Sequence, residues 1–266
     1  MGAPPPTEVR AAFGAEGAEP VPLAGGEGRS WLAGDVVLKP IEDETAAAWA
    51  ADLLSRIEED GFRVARPVAT PGGSWTVLGW AASRRVEGEH APRWAEVIGA
   101  GEAFHRAVRL EPRPRFLDGG DDPWATGDRA AWDEIPIDRY LAPIAGMDRL
   151  AAARRPVDGV HDQLIHGDLS ENVLFAAGMT PAVIDLSPYW RPTGFASAIV
   201  IADALLWRDV GPEILEAAPN ADHLGQLLIR ALIYRLVTHE TFHPGTVAGP
   251  GVRRAVDLAC DLATAT

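Results

Sequence analysis

Gln163-Leu164-Ile165-His166-Gly167-Asp168-Leu169-Ser170-Glu171-Asn172-Val173-Leu174-Phe175, followed by Pro181-Ala182-Val183-Ile184-Asp185-Leu186-Ser187, decides how this chain is read. An apolar run leads into His166, Val173-Leu174-Phe175 reads as the next short strand, and Pro181 to Ile184 reads as a strand that delivers Asp185. Loop and hairpin together set out a carboxylate, an amide and a second carboxylate. A phosphoryl group in flight carries charge on its equatorial oxygens and needs divalent ions on one side and a proton acceptor in line on the other. Asp168 fits the acceptor, and Asn172 and Asp185 fit the metal ligands.

Protein kinases carry the pattern H-R-D-L-x-x-x-N followed by a strand-borne D-F-G. Here His166-Gly167-Asp168 runs to Asn172, and Asp185-Leu186-Ser187 follows. With Gly after the His, the chain resembles the aminoglycoside phosphotransferases and their choline kinase relatives. The interval from Asp168 to Asn172 is one residue shorter than the signature, so the loop must turn more tightly to bring Asn172 back. The resemblance implies an α+β, two-lobed protein-kinase-like fold: a small N-terminal lobe with an antiparallel sheet and one main helix (residues 1–87), then a larger, mostly helical lobe (88–266). It also implies ATP and Mg2+ as cofactors, a supporting role for His166, and a helix aspartate, Asp203, that hydrogen-bonds the catalytic-loop backbone.

Lysine usage gives an independent indication. Of 24 basic residues only Lys39 is a lysine, and it lies in the apolar run Asp35-Val36-Val37-Leu38-Lys39-Pro40. Kinases place the lysine that contacts the nucleotide phosphates on such a strand. Ahead of it, Gly25-Gly26-Glu27-Gly28-Arg29-Ser30 reads either as a phosphate-covering loop, with Gly26 and Gly28 offering backbone amides, or as a plain hairpin turn. After it, Glu42-Asp43-Glu44 opens a helical pattern. Glu44 is expected either to pair with Lys39 or to complement the helix N-terminus. Arg85-Val86-Glu87-Gly88 reads as the hinge, with Val86 and Glu87 at the adenine edge and Leu23 and Val37 over its faces.

Seven carboxylates against one cation lie between Asp118 and Asp138, with Trp124 and Trp132 interleaved. Either this is a solvated face, or Trp124 and Asp128 belong to a wall that receives a cationic substrate. Trp190 and Arg191, just after the metal carboxylate, are read as substrate contacts or as a packed replacement for a mobile activation loop.

With 266 residues, 47% of them hydrophobic, the chain is long enough for two cores. A net charge of −14 argues against nucleic acid, which needs clustered cations. No apolar stretch is long enough for a bilayer, and the first thirty residues carry no secretory pattern. The single cysteine, Cys260, is expected as a buried small hydrophobe, and the setting as the cytoplasm. The expected activity is transfer of the ATP γ-phosphate to a hydroxyl of a small molecule, a cationic one if the acidic segment forms its wall. A catalytically weak nucleotide-binding module, regulatory or scaffolding, is the alternative that the short loop supports.

Overall fold

The computed structural model describes residues 2–23, 28–218 and 223–264. Gly26 therefore lies outside the described residues. The chain divides into two compact units, 1–89 with 174–184, and 90–173 with 185–266.

In chain order the first unit contributes α1 (Thr7–Ala12), β1 (Val21–Pro22), β2 (Trp31–Ala33), β3 (Val36–Pro40), α2 (Glu44–Arg56), β4 (Arg63–Val64), β5 (Thr76–Val77) and β6 (Trp80–Arg84). The sheet runs β1-β2-β3-β6-β5 with every neighbour antiparallel. Period-two alternation sends Trp31, Ala33, Val36, Leu38, Trp80 and Ala82 to one face, where they close a core with Val9 and Phe13 at α1. Lys39, Val37 and Leu32 fall at the alternate positions, with Lys39 opposite Ala81 and Val37 opposite Ser83.

The run 74–83 is a hairpin, because Leu78 (φ 50°) and Gly79 (φ 75°) turn the chain between β5 and β6. Residues 66–69 contribute only a bridge from Pro67 to Ser83, since proline supplies no ladder N–H. Asp43 Oδ1 accepts from the amides of Thr45 and Ala46 and starts α2. At the other end of α2 the Arg66 guanidinium donates to the carbonyls of Leu54 and Ile57.

The second unit begins with α3 (Trp94–Ala107), α4 (Pro123–Ala131), α5 (Asp138–Leu141) and α6 (Met147–Ala153), then β7 (Gln163–His166). β8 (Val173–Leu174) and β9 (Ala182–Val183) follow, then β10 (Pro188–Arg191), α7 (Thr193–Trp207), α8 (Leu224–Phe242) and α9 (Val252–Thr264). Residues 174–184, expected in the C-terminal lobe, sit in the first unit, because β9 pairs in parallel with β4 and Phe175 exchanges backbone hydrogen bonds with Glu89. α5 and α6 are separated at Pro143 and at Gly146, which holds φ 81°. α7 is buried from Phe195 to Leu206, and α8 from Leu224 to Thr238, so both are buried on all sides and form the centre of this unit. Cys260 on α9 is half-buried rather than buried. Among the described residues no helix is long and apolar enough to cross a membrane.

Candidate active site

Asp168 stands in the loop after β7, at the edge of the buried helical core. Its Oδ1 accepts from Arg235 Nη2 at 2.8 Å and its Oδ2 from Asn172 Nδ2 at 3.1 Å. Asn172 Nδ2 also donates to Asp168 O at 2.6 Å, while Asn172 N donates to Leu169 O at 3.0 Å. The shortened loop therefore does return Asn172 to Asp168. Both neighbours of Nδ2 are acceptors, which fixes the amide orientation and leaves Oδ1 as the atom it can offer to a cation. Asp185 is exposed at φ 50°, a left-handed conformation that Asp tolerates better than most residues.

The two loops are joined by a ladder. β10 pairs antiparallel with β7, His166 opposite Pro188, and Gly167 N donates to Ser187 O at 2.9 Å. The stiff segment after Asp185 is thus a strand. A Cβ at Gly167 would come 2.3 Å from Tyr189 Cδ2, so the Tyr189 ring occupies the space that any larger residue would need. This is the physical reason for glycine between His166 and Asp168.

Behind the loop, Arg235 Nε donates to Asp203 Oδ1 and Nη2 to Asp203 Oδ2, both at 2.7 Å. Asp203 Oδ2 further accepts from Ser170 Oγ at 2.6 Å. Asp203 was expected to hold the loop backbone; it engages side chains instead. Burial pushes the Asp203 carboxyl above its ordinary range, against the opposing pull of Arg235 and Ser170. Arg235 is 4% exposed, and its guanidinium lies against the rings of Tyr234 (5.0 Å) and Trp124 (5.6 Å).

His166 is fully buried, and its Nδ1 accepts from Asp168 N at 3.1 Å. His166 N donates in turn to His105 Nε2 at 3.1 Å, which requires His105 to be neutral. His105 Nδ1 is buried without a partner. Burial, with a smaller contribution from neighbouring His166, lowers the His105 pKa to about 3. A histidine depressed in this way stabilises the fold above its unfolded value of 6.5, and that stability is lost as pH falls from 6.5 toward 3. The full loss is on the order of 5 kcal/mol. Urea melts of wild type and His105→Gln between pH 7 and 4 test it: the variant is expected to show a flatter pH dependence, and an equal slope in both contradicts the assignment.

Six of the seven carboxylates of the acidic segment are exposed, as on a solvated face, and only Asp128 is buried. Asp118 pairs with Arg113, Asp133 with Arg154, and Asp122 caps α4. Asp128, 8% exposed, pairs with Arg191 at 2.6 Å, and Arg191 also meets Glu134 at 2.8 Å. Two of the four residues read as substrate contacts, Arg191 and Asp128, thus hold each other as a buried ion pair. The remaining two differ: Trp124 is 40% exposed on α4, and Trp190 is half-buried opposite Leu164.

In the first unit, Lys39 is half-buried on β3 and Glu44 is exposed at the first position of α2. Gly28 has φ 66°, and Leu23 N donates to Ser30 O. Val37 and Val86 are half-buried, Glu87 is exposed, and its carbonyl accepts from Arg63 Nη2 at 3.1 Å.

Sequence reasoning missed Arg235, Ser170 and the Tyr189–Tyr234 hydroxyl pair (2.9 Å). A signal was present for the first of these. An arginine inside Leu232-Ile233-Tyr234-Arg235-Leu236-Val237 must find a buried carboxylate, and Asp203 interrupts the other apolar helix.

Comparisons bear on the same residues. No curated protein matches the chain. Solved structures of spectinomycin phosphotransferase APH(9)-Ia bound to AMP (11% identity, 97% of this chain and 96% of that one, TM-score 0.57) and amicoumacin kinase hAmiN with AMP-PNP, Ca2+ and its ligand (13%, 93% and 88%, 0.57) are similar. So is choline kinase LicA from Streptococcus pneumoniae (12%, 93% and 94%, 0.50). At these identities the likeness establishes the fold, which is α+β and protein-kinase-like. The model of the phosphotransferase enzyme family matches residues 21–189, well over half of the chain. That span contains the β3 strand with Lys39, the loop of Asp168 and Asn172, and Asp185, and the chain belongs to this phosphotransferase family.

Proposed function

We propose that this protein transfers the γ-phosphate of ATP to a hydroxyl of a small molecule. The observation that carries the reading is the return of Asn172 to Asp168 across the shortened loop, which sets the candidate metal ligand and the candidate base side by side. Family membership and the nucleotides bound to similar structures support it.

Asp168 would accept the acceptor's hydroxyl proton as the new O–P bond forms and the bond from the γ-phosphorus to its bridging oxygen breaks, releasing ADP. Asn172 Oδ1 and the Asp185 carboxylate would hold Mg2+, which when bound neutralises charge on the phosphates. Among the described residues no group of three or more His, Cys, Asp or Glu could hold a metal unaided. One carboxylate and one amide suit an ion that arrives largely coordinated by phosphates and water. Lys39 is assigned the phosphates, Glu44 the lysine's carboxylate partner, Gly28 a place in the loop over the phosphates, and Leu23, Val37, Val86 and Glu87 the base. Cytoplasmic residence belongs to this proposal as well.

Arginines pair with Asp118, Asp128, Asp133 and Glu134, which leaves less support for a cationic acceptor than the composition of the segment suggested. Trp124 stays in the proposal as an acceptor contact, and Trp190 beside it.

The test is a coupled ADP-release assay with Mg2+ and a panel of amino-sugars, amino alcohols, nucleosides and uncharged polyols, alongside nucleotide titration. Nucleotide binding with no transfer to any acceptor favours the weak-module alternative. Asp185→Asn retains the left-handed backbone but removes the charge. Its expected effect is a loss of at least about 10–100-fold in activity, the size seen even for outer partners of a metal, with a higher Mg2+ requirement. An unchanged Mg2+ titration removes Asp185 from the metal site.

A further inference from the structure

Arg235 belongs to α8, far in sequence from the loop it touches, and the reading of the residues gave it no role. Its fork is divided. Nε and Nη2 grip both oxygens of buried Asp203, and Nη2, which carries two hydrogens, gives the second to Asp168 Oδ1. Asp203 is fixed a second time by Ser170 Oγ, from the same loop as Asp168. One cation therefore ties two carboxylates, one deep and one 39% exposed by side chain, to a single rigid frame. The rings of Tyr234 and Trp124 close over the guanidinium.

We propose that Arg235 is the positioning residue of Asp168. It sets the direction in which the carboxylate presents its remaining lone pairs, while Asn172 holds the other oxygen. With one donor on each oxygen, Asp168 keeps one lone-pair direction per oxygen for an acceptor hydroxyl, and the two donors fix where these point. Arginine is required because its planar fork reaches three oxygens at fixed angles, whereas a lysine ammonium offers a single point. The inference rests on the phosphotransfer reading for its kinetic consequence and on geometry alone for the placement of Asp168.

Two variants test it, each compared with wild type by crystal structure and by steady-state kinetics. Arg235→Lys keeps a charge beside Asp203. Arg235→Met with Asp203→Asn removes both buried charges together, so the fold is not left with an unpaired ion. In the double variant the Asp168 carboxylate is expected to leave its present position and kcat to fall on the order of 10²-fold, the effect of a misplacement of about 1 Å. The KM for ATP should stay within about threefold of wild type, the pattern for an interaction made in the transition state. Arg235→Lys is expected to recover part of kcat. A carboxylate that stays in place in the double variant overturns the inference whatever the activity, and so does one that moves while kcat holds within twofold. If wild type transfers phosphate to nothing, the functional reading fails, and the crystal structures still decide the role of Arg235.

Discussion

Asp168→Asn is expected to lower turnover by about 10²–10⁴-fold, the range that general-base assistance supplies, while nucleotide affinity stays close to wild type. Charge and geometry both change in this variant. The wild-type carboxylate accepts from Arg235 on one oxygen and Asn172 on the other, and an amide has only one oxygen to give. Its nitrogen must face one of the two donors, so one hydrogen bond is replaced by donor-to-donor repulsion and the side chain turns. Asp168→Ala distinguishes the two contributions: if loss of the base dominates, both variants are equally slow. The measurement is ADP release with the best acceptor, together with calorimetric titration of an ATP analogue. Turnover within twofold of wild type in Asp168→Asn would remove Asp168 from the chemistry.

Asp203→Ala is expected to destabilise the protein by about 3–5 kcal/mol, because it leaves Arg235 charged and buried. Arg235 is 4% exposed and Asp203 6%, and Ser170 Oγ loses its acceptor in the same change. The double variant Asp203→Leu with Arg235→Met should be less destabilised than Asp203→Ala alone, since exchanging a buried pair for apolar groups of similar volume is often close to neutral. Denaturant midpoints of the three proteins decide this. If Asp203→Ala is as stable as wild type to within about 1 kcal/mol, the pair is not the strut described here.

Much of this molecule can be read from its residues, for reasons that differ from place to place. The loop from His166 to Asn172 was legible because its chemistry is local: strand, turn and strand lie consecutively, and the side chains they deliver are close in sequence. β3 was legible because a short apolar run that ends on Lys39 marks a strand. α4 was not, although Asp122 followed by Pro123 is a helix start; the density of charge around it suggested a solvated stretch. That stretch is indeed mostly solvated, but four of its carboxylates pair with arginines at 113, 154 and 191, and the pairings with 154 and 191, distant in sequence, have no periodicity to betray them. For the same reason the parallel partnership of β4 with β9 was hidden. Each strand is two residues long, and their union depends on segments more than a hundred positions apart. Arg235 combines both difficulties, with one end of its role in α8 and the other in the loop after β7.

The pairing of β7 with β10 carries a consequence for how this sequence can vary. Position 167 is bonded to position 187, so Asp168 and Asp185 each stand within two residues of a fixed rung. Insertions or deletions around 176–180 should be absorbed harmlessly, since both flanks are clamped. A single residue added within 163–166 would turn part of β7 to its opposite face, slip its register against β10 and put Asp168 out of step with Asp185. Deep mutational scanning for length changes should therefore find tolerance in the middle of this excursion and none at its two feet.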